Sequence, residues 1–421
     1  MMDLGIPLAT ERVKPGLSRV RRLLSALGEP QGRFPAIHVG GTNGKGSVVA
    51  FLESVFIAAG YRVGAYTSPD LGDPTERIRV RGERIPEGRL RDILRGTVGP
   101  LPEEERPTYF EAMTAAAYAH FAAEGVDLAV VEVGLGGRFD ATNCLPRKLL
   151  SLVTSVELDH PEFFGPGYSR AAWEKAGIAA QGVPFLTVER KVEVLAIFAR
   201  EAKSSGSALV LLDPDDIQPV ELSWERAVWR SREDPLDLGE FETGLVAAYQ
   251  RGNIALVLGA LRELVGGWEI PKGAIREGLY RARWPGRFEV VSRRPYIVLD
   301  GAHNPAGARA LLESLRSLPE PSGRRILLFG TLREKPIKAM AEILFPHFHR
   351  VVLVAPDNPR ALPSEALLHQ ARRLGVTYRL GGGVRETLRD MLSDLGEDDL
   401  LVVTGSLYTV AEARHELYRA P

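Results

Sequence analysis

Residues 39–47 read VGGTNGKGS, and this stretch decides the fold more than any other part of the chain. It follows the apolar run 36–39, typical of a buried strand, and precedes residues 48–56, typical of a helix. A glycine loop there points backbone N–H groups at an anion, and the helix N-terminus adds favourable partial charge. Lys45 would add a point charge beside the β- and γ-phosphates. The stretch lacks the first glycine and the Ser or Thr after lysine of the usual P-loop. It therefore predicts a variant phosphate loop, with a plain glycine turn as the alternative.

The composition limits the class of protein. With 421 residues the chain is long enough for two or three domains, and its 45% apolar residues supply sizeable cores. The 53 basic and 54 acidic residues give a net charge of −1, so no long-range attraction to nucleic acid or anionic membranes is expected. Cys144 is the only cysteine, which excludes an intrachain disulfide and fits a reducing compartment.

The chain shows no sign of membrane targeting. No apolar core of a signal peptide is evident at the N-terminus, and no apolar run approaches the ~20 residues that a membrane helix needs. We therefore expect a cytoplasmic protein that acts as a monomer on small molecules, with no nucleic-acid and no membrane partner.

Two series of apolar runs alternate with helical patterns, which predicts an α/β fold with parallel sheets. The strands are predicted at 62–67, 127–133 and 149–155 in the first series, and at 296–300, 324–329, 350–354 and 400–403 in the second. A helix is predicted at 110–123. Residues 283–287, WPGR preceded by Arg, fit a linker or hinge, and residues 183–243 are left open between peripheral strands and loops.

Polar residues follow the predicted strands of the first series. Ser68 and His160 come after strands, and Glu132 lies inside one. Because ligands bind beyond the carboxyl ends of parallel strands, these side chains are candidate ligands of a magnesium ion, which prefers oxygen and tolerates an imidazole. A hydrogen-bonded loop histidine is the alternative for His160. A buried, unpaired carboxylate would be costly, which favours a functional Glu132.

The second series carries two similar strand ends. Asp300 and His303 lie in DGAHNP, where Asp300 would hold a ribose or orient a base and His303 would act near the reacting groups. Asn304 before Pro305 also fits a helix N-cap, and both interpretations can hold. Residues 404–408, TGSLY, form a comparable loop, with a plain turn as the alternative. By composition alone, Lys175 is an ordinary residue at a helix C-terminus.

Taken together, these motifs resemble those of folylpolyglutamate synthases and dihydrofolate synthases, within the wider Mur ligase group. Eight segments carry the resemblance in order along almost the whole chain: GTNGKGS at 41–47, YTSP at 66–69, EVGLGGR at 132–138, LDH at 158–160, EKAGI at 174–178, WPGR at 284–287, DGAHNP at 300–305 and TGSLY at 404–408. The resemblance implies an ATP-binding P-loop domain of the Mur central type over 1–288. It also implies a smaller, Rossmann-like glutamate ligase domain over 289–421.

The resemblance implies roles for individual residues. ATP would be bound by Gly41, Thr42, Asn43, Gly44, Lys45, Gly46, Ser47, Asn253, Arg287 and Asp300. Magnesium would be held by Ser68, Glu132 and His160, and a carbamylated Lys175 would support a second metal. The substrate would contact Thr108, Phe110, Phe139, Asp140, Ala141 and Ser406, of which Thr108, Phe139, Asp140 and Ala141 match the border of the pterin site. Lys45, Lys175, Asp300 and His303 would be the catalytic residues. Four features depart from the family pattern: Asp70 and Tyr249 stand where histidine is common, and the segments 71–75 and 144–148 differ from the usual sequence.

The implied activity is an ATP-dependent, amide-forming ligase, a tetrahydrofolate synthase and dihydrofolate synthase that adds L-glutamate to a pterin carboxylate through an acyl phosphate. Dihydrofolate synthesis, polyglutamate extension and the combination of both stay open. A Mur ligase of peptidoglycan synthesis is the nearest rival, but it would carry Tyr in place of Gly301 and a large domain before the first strand. A non-catalytic nucleotide-binding module is the rival of another class.

Overall fold

The computed structural model describes residues 16–419, so the expectation about a signal peptide lies outside the described residues. The chain divides into two compact units. The first contains residues up to 218 together with 230–241 and 251–282, and the second contains 219–229, 242–250 and the chain from 283 onward. Residues 219–229 and 242–250 join the second unit because Trp224 and Ala247 are buried in its core. The boundary at 288, which the resemblance implies, stays a prediction.

The first unit is built on an eight-stranded sheet with the order β4-β3-β2-β5-β1-β6-β7-β8. Its strands are β1 (Ala36–Gly40), β2 (Val63–Tyr66), β3 (Ile78–Val80), β4 (Glu83–Arg84), β5 (Leu128–Glu132), β6 (Lys148–Val153), β7 (Phe185–Thr187) and β8 (Leu209–Leu211). Strands β2, β5, β1, β6, β7 and β8 are parallel, and β3 and β4 add an antiparallel edge. Every residue of β1, β2 and β5 is buried, as their continuous apolar runs predict.

Helices cover both faces of this sheet. They are α1 (Ser18–Ala26), α2 (Lys45–Ala58), α3 (Glu87–Val98), α4 (Tyr109–Glu124), α5 (Pro161–Phe164), α6 (Tyr168–Ala176), α7 (Val192–Ser205), α8 (Gln250–Leu264) and α9 (Lys272–Arg281). One core cluster joins α1, α3 and α4 to the sheet, with Phe34 in edge contact with Tyr118 and Phe121. Another cluster joins α6 and α7 around Phe185 and Phe198.

Residues 217–243 form a further sheet, ordered β11-β10-β9, from β9 (Ile217–Leu222), β10 (Ala227–Ser231) and β11 (Glu240–Thr243).

The second unit contains a six-stranded sheet with the order β12-β13-β17-β14-β15-β16. Its strands are β12 (Glu289–Arg293), β13 (Tyr296–Leu299), β14 (Arg325–Phe329), β15 (Arg350–Ala355), β16 (Tyr378–Gly383) and β17 (Leu400–Thr404). All are parallel except β12. Its helices are α10 (Pro305–Arg316), α11 (Ile337–Leu344), α12 (Ser364–Arg373), α13 (Val384–Leu392) and α14 (Leu407–Leu417). Two mostly parallel sheets with helices packed against them confirm the predicted α/β class.

No helix among residues 16–419 combines the length and the apolar character needed to cross a bilayer.

Close packing of α9 against α2 holds the helix that follows the phosphate loop. The approach is so tight that a Cβ atom added to Gly278 would lie 2.3 Å from the Cα atom of Val55. Only a residue without a side chain fits between the two backbones. Gly278 is therefore required by packing, and not by its own backbone angles.

We expect Gly278→Ala to lower the free energy of unfolding by about 1–3 kcal/mol, because overpacking against backbone forces the helices apart. Gly273 lies on the same helix with nothing within 4 Å of an added Cβ atom. Gly273→Ala should therefore be neutral, or stabilising by about 0.5–1 kcal/mol through helix propensity. Urea titrations of both variants measure the difference, and equal midpoints would contradict the packing argument.

Candidate active site

The phosphate loop depends on two glycines with left-handed backbone angles. Gly41 has a φ of 130° and Gly44 a φ of 93°. An added Cβ atom would lie 1.8 Å from Thr154 Oγ1 at Gly41 and 2.3 Å from Asn253 Oδ1 at Gly44. Both the backbone angles and the space exclude side chains here. The same contacts place Asn253, a predicted ATP ligand, against the loop.

Hydrogen bonds fix the loop to the segment after β6. The Thr42 N–H donates to the Ser155 carbonyl at 2.7 Å, and the Thr154 hydroxyl donates to the Asn43 carbonyl at 2.6 Å. Helix α2 then begins at Lys45, and the N–H groups of its first turn point back toward the loop. The result is a rigid loop that leads into a helix N-terminus, as an anion site requires.

Lys45 and Glu132 lie together beside the loop. The Lys45 ammonium donates to the carbonyls of Gly41 at 3.2 Å and Thr42 at 3.0 Å, and lies 4.0 Å from Glu132 Oε1. Glu132 is buried at the carboxyl end of β5, and its Oε2 accepts the Ser68 N–H at 3.2 Å. The structure thus brings two predicted metal ligands next to the predicted phosphate-binding lysine.

His160, the third predicted metal ligand, follows β6 with a φ of 55°. Its Nδ1 lies 3.1 Å from Glu162 Oε1, and its Nε2 lies 4.0 Å from Asp159 Oδ2. Within residues 16–419, no three His, Cys, Asp or Glu side chains are grouped closely enough to hold a metal by themselves. A carboxylate, a hydroxyl and an imidazole nevertheless fit the chemistry of a magnesium ion that also takes phosphate oxygens as ligands.

Lys175 is buried at the C-terminal end of α6, with its ammonium 5.6 Å from the centre of the Phe164 ring. Burial, followed by the positive charge of Lys45, lowers the pKa of Lys175 to about 7. The carboxylates of Asp159, Glu174 and Asp140 act in the opposite direction. A large fraction of the Lys175 amine is therefore neutral near physiological pH, which an ordinary lysine is not. The composition of α6 did not reveal this.

Asp140 holds together the loop that follows β5. Its carboxylate accepts the Leu135 N–H at 2.8 Å, the Thr142 N–H at 3.0 Å and the Thr142 hydroxyl at 2.5 Å. The side chain is buried, and its observed partners all belong to the loop. Asp140 therefore stabilises its own loop, a structural role that was not predicted from the sequence. Its spacing from Thr142, typical of a side-chain turn, is the signal that would have revealed it.

The other predicted substrate residues of the first unit differ in how much of each side chain is exposed to solvent. Thr108 is the buried N-cap of α4 and forms a capping box with Glu111. Ala141 is buried in the core. The Phe110 ring lies against Tyr66, with ring centres 5.9 Å apart. Phe139 is 45% exposed, so it presents the most surface to a ligand among these residues.

Asp70, one of the two single positions that depart from the family pattern, forms an ion pair in the loop after β2. Arg77 Nε donates to Asp70 Oδ2 at 2.5 Å, and both side chains are largely buried. The Arg77 guanidinium also lies 5.1 Å from the centre of the Tyr109 ring. The carboxylate at position 70 therefore has a dedicated partner on the same loop.

Asp300 organises the predicted site of the second unit. Its carboxylate accepts the Tyr249 hydroxyl, the Phe288 N–H and the Ala302 N–H, each at 2.9 Å. Burial raises the pKa of Asp300, and the nearby Arg287 charge opposes that effect. Tyr249, the other departure from the family pattern, is thus a direct partner of a predicted catalytic residue, which sequence reasoning missed.

The remaining predicted residues of the second unit lie on the loops after β13 and β17. Asn304 caps α10 by accepting the Gly307 N–H at 2.8 Å, which confirms the predicted N-cap. His303 Nδ1 lies 2.9 Å from the Gly301 carbonyl oxygen. Ser406 is the buried N-cap of α14 and accepts the Thr409 N–H at 3.1 Å. These groups lie at the carboxyl edge of the sheet, where α/β folds bind ligands.

Comparisons with known proteins identify the family of the chain. The family model described as Mur ligase, glutamate ligase domain, matches residues 286–407. The chain is 34% identical to the dihydrofolate synthase/folylpolyglutamate synthase of Bacillus subtilis, over 96% of this chain and 95% of that protein. It is 35% identical to the folylpolyglutamate synthase of Lacticaseibacillus casei, over 95% of this chain and 94% of that protein.

A solved structure shows the same similarity. The bifunctional folylpolyglutamate synthase/dihydrofolate synthase of Yersinia pestis, complexed with AMPPNP and a manganese ion, superimposes with a TM-score of 0.83 at 29% identity. The match covers 98% of this chain and 95% of that one. The chain belongs to the folylpolyglutamate synthase and dihydrofolate synthase family, within the Mur ligase superfamily.

Proposed function

We propose that this chain is an ATP-dependent ligase that joins L-glutamate to the carboxylate of a pterin substrate, acting as a folylpolyglutamate synthase and a dihydrofolate synthase. The observation that carries the proposal is the grouping of the Lys45 phosphate loop, the buried Glu132 and the buried Lys175 in one unit. Relatives that match along almost the whole chain bear both activities in their names.

The first step activates the substrate carboxylate. A carboxylate oxygen attacks the γ-phosphorus of ATP, the bond to the bridging oxygen breaks, and ADP leaves with that oxygen. Negative charge spreads over the transferred phosphoryl oxygens, and the Lys45 ammonium and the N–H groups at the start of α2 offset it. Ser68, Glu132 and His160 would hold the magnesium ion, which when bound neutralises phosphate charge.

The second step forms the amide. The amine of L-glutamate attacks the carbonyl carbon of the acyl phosphate, inorganic phosphate leaves, and the nitrogen loses a proton. Water must be excluded, because it would hydrolyse the acyl phosphate. In the second unit, Arg287 and Asp300 would contact ATP, while His303 would act near the reacting groups and Ser406 near the substrate. The match of the glutamate ligase domain to residues 286–407 supports these assignments.

One assay tests the proposal. Glutamate-dependent ADP release is measured with saturating ATP and either dihydropteroate or tetrahydrofolate. Release with both substrates supports a bifunctional enzyme, and release with tetrahydrofolate alone leaves a folylpolyglutamate synthase. ATP binding without glutamate-dependent release would overturn the proposal in favour of a nucleotide-binding module. A cytoplasmic address and a monomeric state stay predictions.

Lys45→Ala should lower kcat by at least about 100-fold, because the transferred phosphoryl group loses its fixed positive charge. Lys203→Ala serves as the control, since Lys203 is exposed on α7 of the same unit. Steady-state ADP release and thermal unfolding are measured for both variants. Normal turnover by a folded Lys45→Ala enzyme would contradict the assignment.

Lys175 is proposed to act as a carbamate. Its neutral amine attacks carbon dioxide, a C–N bond forms and a proton is released, so a buried cation becomes an anion. Lys175→Ala should lose activity at least about 100-fold, and acetate or propionate should restore part of it by supplying a carboxylate in the vacated space. A normal rate in Lys175→Ala would show that Lys175 is only a helix end.

The same assignment predicts a pH dependence. Since the pKa of Lys175 is lowered to about 7, its neutral fraction falls as the pH drops below that value. Activity should therefore decline between pH 7.5 and 6, and added bicarbonate should raise the activity at the acid end. Acetate-rescued Lys175→Ala has no amine to carbamylate, so bicarbonate should leave its rate unchanged. An equal response of both enzymes would place the carbon dioxide effect elsewhere.

Phe139 is the best position at which to test whether the predicted border of the pterin site contacts the substrate. Asp140→Ala would release the loop after β5, so it cannot separate substrate contact from folding. Phe139→Ala removes an exposed ring and should raise KM for dihydropteroate about 10-fold while leaving KM for ATP unchanged. Phe163, 37% exposed in the same unit, provides the control Phe163→Ala. Equal effects of the two variants on KM for dihydropteroate would contradict a specific role of Phe139.

A further inference from the structure

A buried histidine lies on the strand that carries the phosphate loop. His38 is fully buried in the middle of β1. Its Nε2 lies 2.9 Å from Thr142 Oγ1, and its Nδ1 has no hydrogen-bond partner. An imidazole inside an apolar parallel strand loses its water and gains one polar contact, so packing alone does not explain it.

The hydrogen-bond network determines the protonation of His38. Thr142 Oγ1 lies between His38 and Asp140 Oδ1, to which its hydroxyl donates at 2.5 Å. The hydroxyl has only one hydrogen, so Thr142 must accept the bond from His38. His38 therefore carries its proton on Nε2. The unpartnered Nδ1 is consistent with this tautomer. A buried N–H without an acceptor would destabilise the fold more than a buried lone pair does.

A charged His38 is disfavoured by its surroundings. Burial, followed by the positive charge of Lys148, lowers the pKa of His38 well below the usual value. Lys148 is itself held by the Asn143 side chain at 2.7 Å and the Ile178 carbonyl at 2.8 Å. His38 is thus a neutral donor with a fixed direction.

The loop that Asp140 holds reaches the helix of Lys175. The Arg138 N–H donates to the Glu174 carbonyl at 2.8 Å. A Cβ atom added to Gly137 would lie 2.7 Å from that same carbonyl oxygen and 3.2 Å from Lys175 Cα. The loop backbone therefore rests directly on the end of α6. A shift of the loop would displace Lys175 and Phe139 together.

We propose that His38 is a positioning residue for ligation, which acts through Thr142 and Asp140 to hold the loop at 134–142 against the end of α6. The chain of bonds links β1, which leads into the phosphate loop, to the segment that bears the pterin border. Its function would be to keep the pterin carboxylate in line with the phosphates. This inference rests on the proposed function.

The experiment compares matched variants of the two residues that form the His38–Thr142 hydrogen bond. His38→Gln keeps an N–H donor near the position of Nε2, whereas His38→Leu removes it. Thr142→Ser keeps the hydroxyl, whereas Thr142→Val removes it. We expect His38→Leu, which removes the donor, and Thr142→Val, which removes the acceptor, to lower kcat/KM for the pterin substrate by about 10- to 100-fold, since small misplacements of reacting groups carry costs of this size. The two conservative variants should retain most activity, and KM for ATP should stay unchanged.

His120 provides the control for a merely structural histidine. It is also buried, with an unpartnered Nδ1, but it lies on α4. His120→Leu should lower the unfolding midpoint without changing kcat/KM for the pterin substrate. The double variant His38→Leu/Thr142→Val should lose no more kcat/KM than the worse single variant, because both substitutions break the same His38–Thr142 hydrogen bond. Additive losses, or an equal kinetic loss in His120→Leu, would overturn the proposal.

A readout that does not depend on turnover separates this inference from the proposed function. Nitrogen-15 spectra of the imidazoles, with His38 assigned by its loss in His38→Gln, report the protonated ring nitrogen. We expect an Nε2-protonated, neutral His38 from pH 6 to 8, and a changed signal in Thr142→Val. A charged or Nδ1-protonated His38 would refute the network even in an active enzyme. The expected spectrum together with no glutamate-dependent ADP release would overturn the proposed function and, with it, the role in ligation, but not the network.

Discussion

The phosphate loop has no room for a side chain at its two turning points, and the rest of the site depends on this constraint. At Gly41 the space is taken by Thr154, and at Gly44 it is taken by Asn253. The loop is therefore held on one side by the strand end after β6 and on the other by α8. Because α2 starts where the loop ends, the direction of its N-terminus follows from the same contacts. From this position the Lys45 ammonium lies 4.0 Å from Glu132 Oε1.

The second organising feature is electrostatic. Burial of Lys175 disfavours its ammonium form, the positive charge of Lys45 adds to this effect, and the carboxylates of Asp159, Glu174 and Asp140 offset only part of it, so the pKa of Lys175 falls to about 7. A neutral amine is what reaction with carbon dioxide requires. Burial first, and the charge of Lys45 second, thus favour the neutral amine on which the carbamate proposed for Lys175 depends.

Much of the fold was predictable because parallel strands buried on both faces leave a strong apolar pattern. Strands β1, β2, β5 and β6 follow it closely. Strand β16 was missed because it contains three glycines and is mostly exposed, so no apolar run marks it. Residue types in the site were predictable, but their partners were not. Asp140 and Asp300 were predicted to contact ligands. In the structure, each carboxylate accepts hydrogen bonds from two backbone N–H groups and one hydroxyl. The hydroxyl partner of Asp300, Tyr249, lies 51 residues away along the chain, and a single sequence does not display such a contact. The partners of Asp140, Leu135 and Thr142, are local, and the spacing to Thr142 was the available signal.

The two single positions that depart from the family pattern, Asp70 and Tyr249, can be explained by the same physical argument. At position 70 a carboxylate is matched by Arg77, and at position 249 a phenol donates to Asp300. In each case the altered residue meets a complementary partner, because an unpaired polar group in a half-buried place is expensive. Asp70 brings a negative charge that Arg77 offsets, so the local balance of the loop is kept. Tyr249 still supplies a hydrogen-bond donor to the buried carboxylate, as a histidine would. Asp70 and Tyr249 therefore each have a polar partner, and these pairs help to hold the two loops in place.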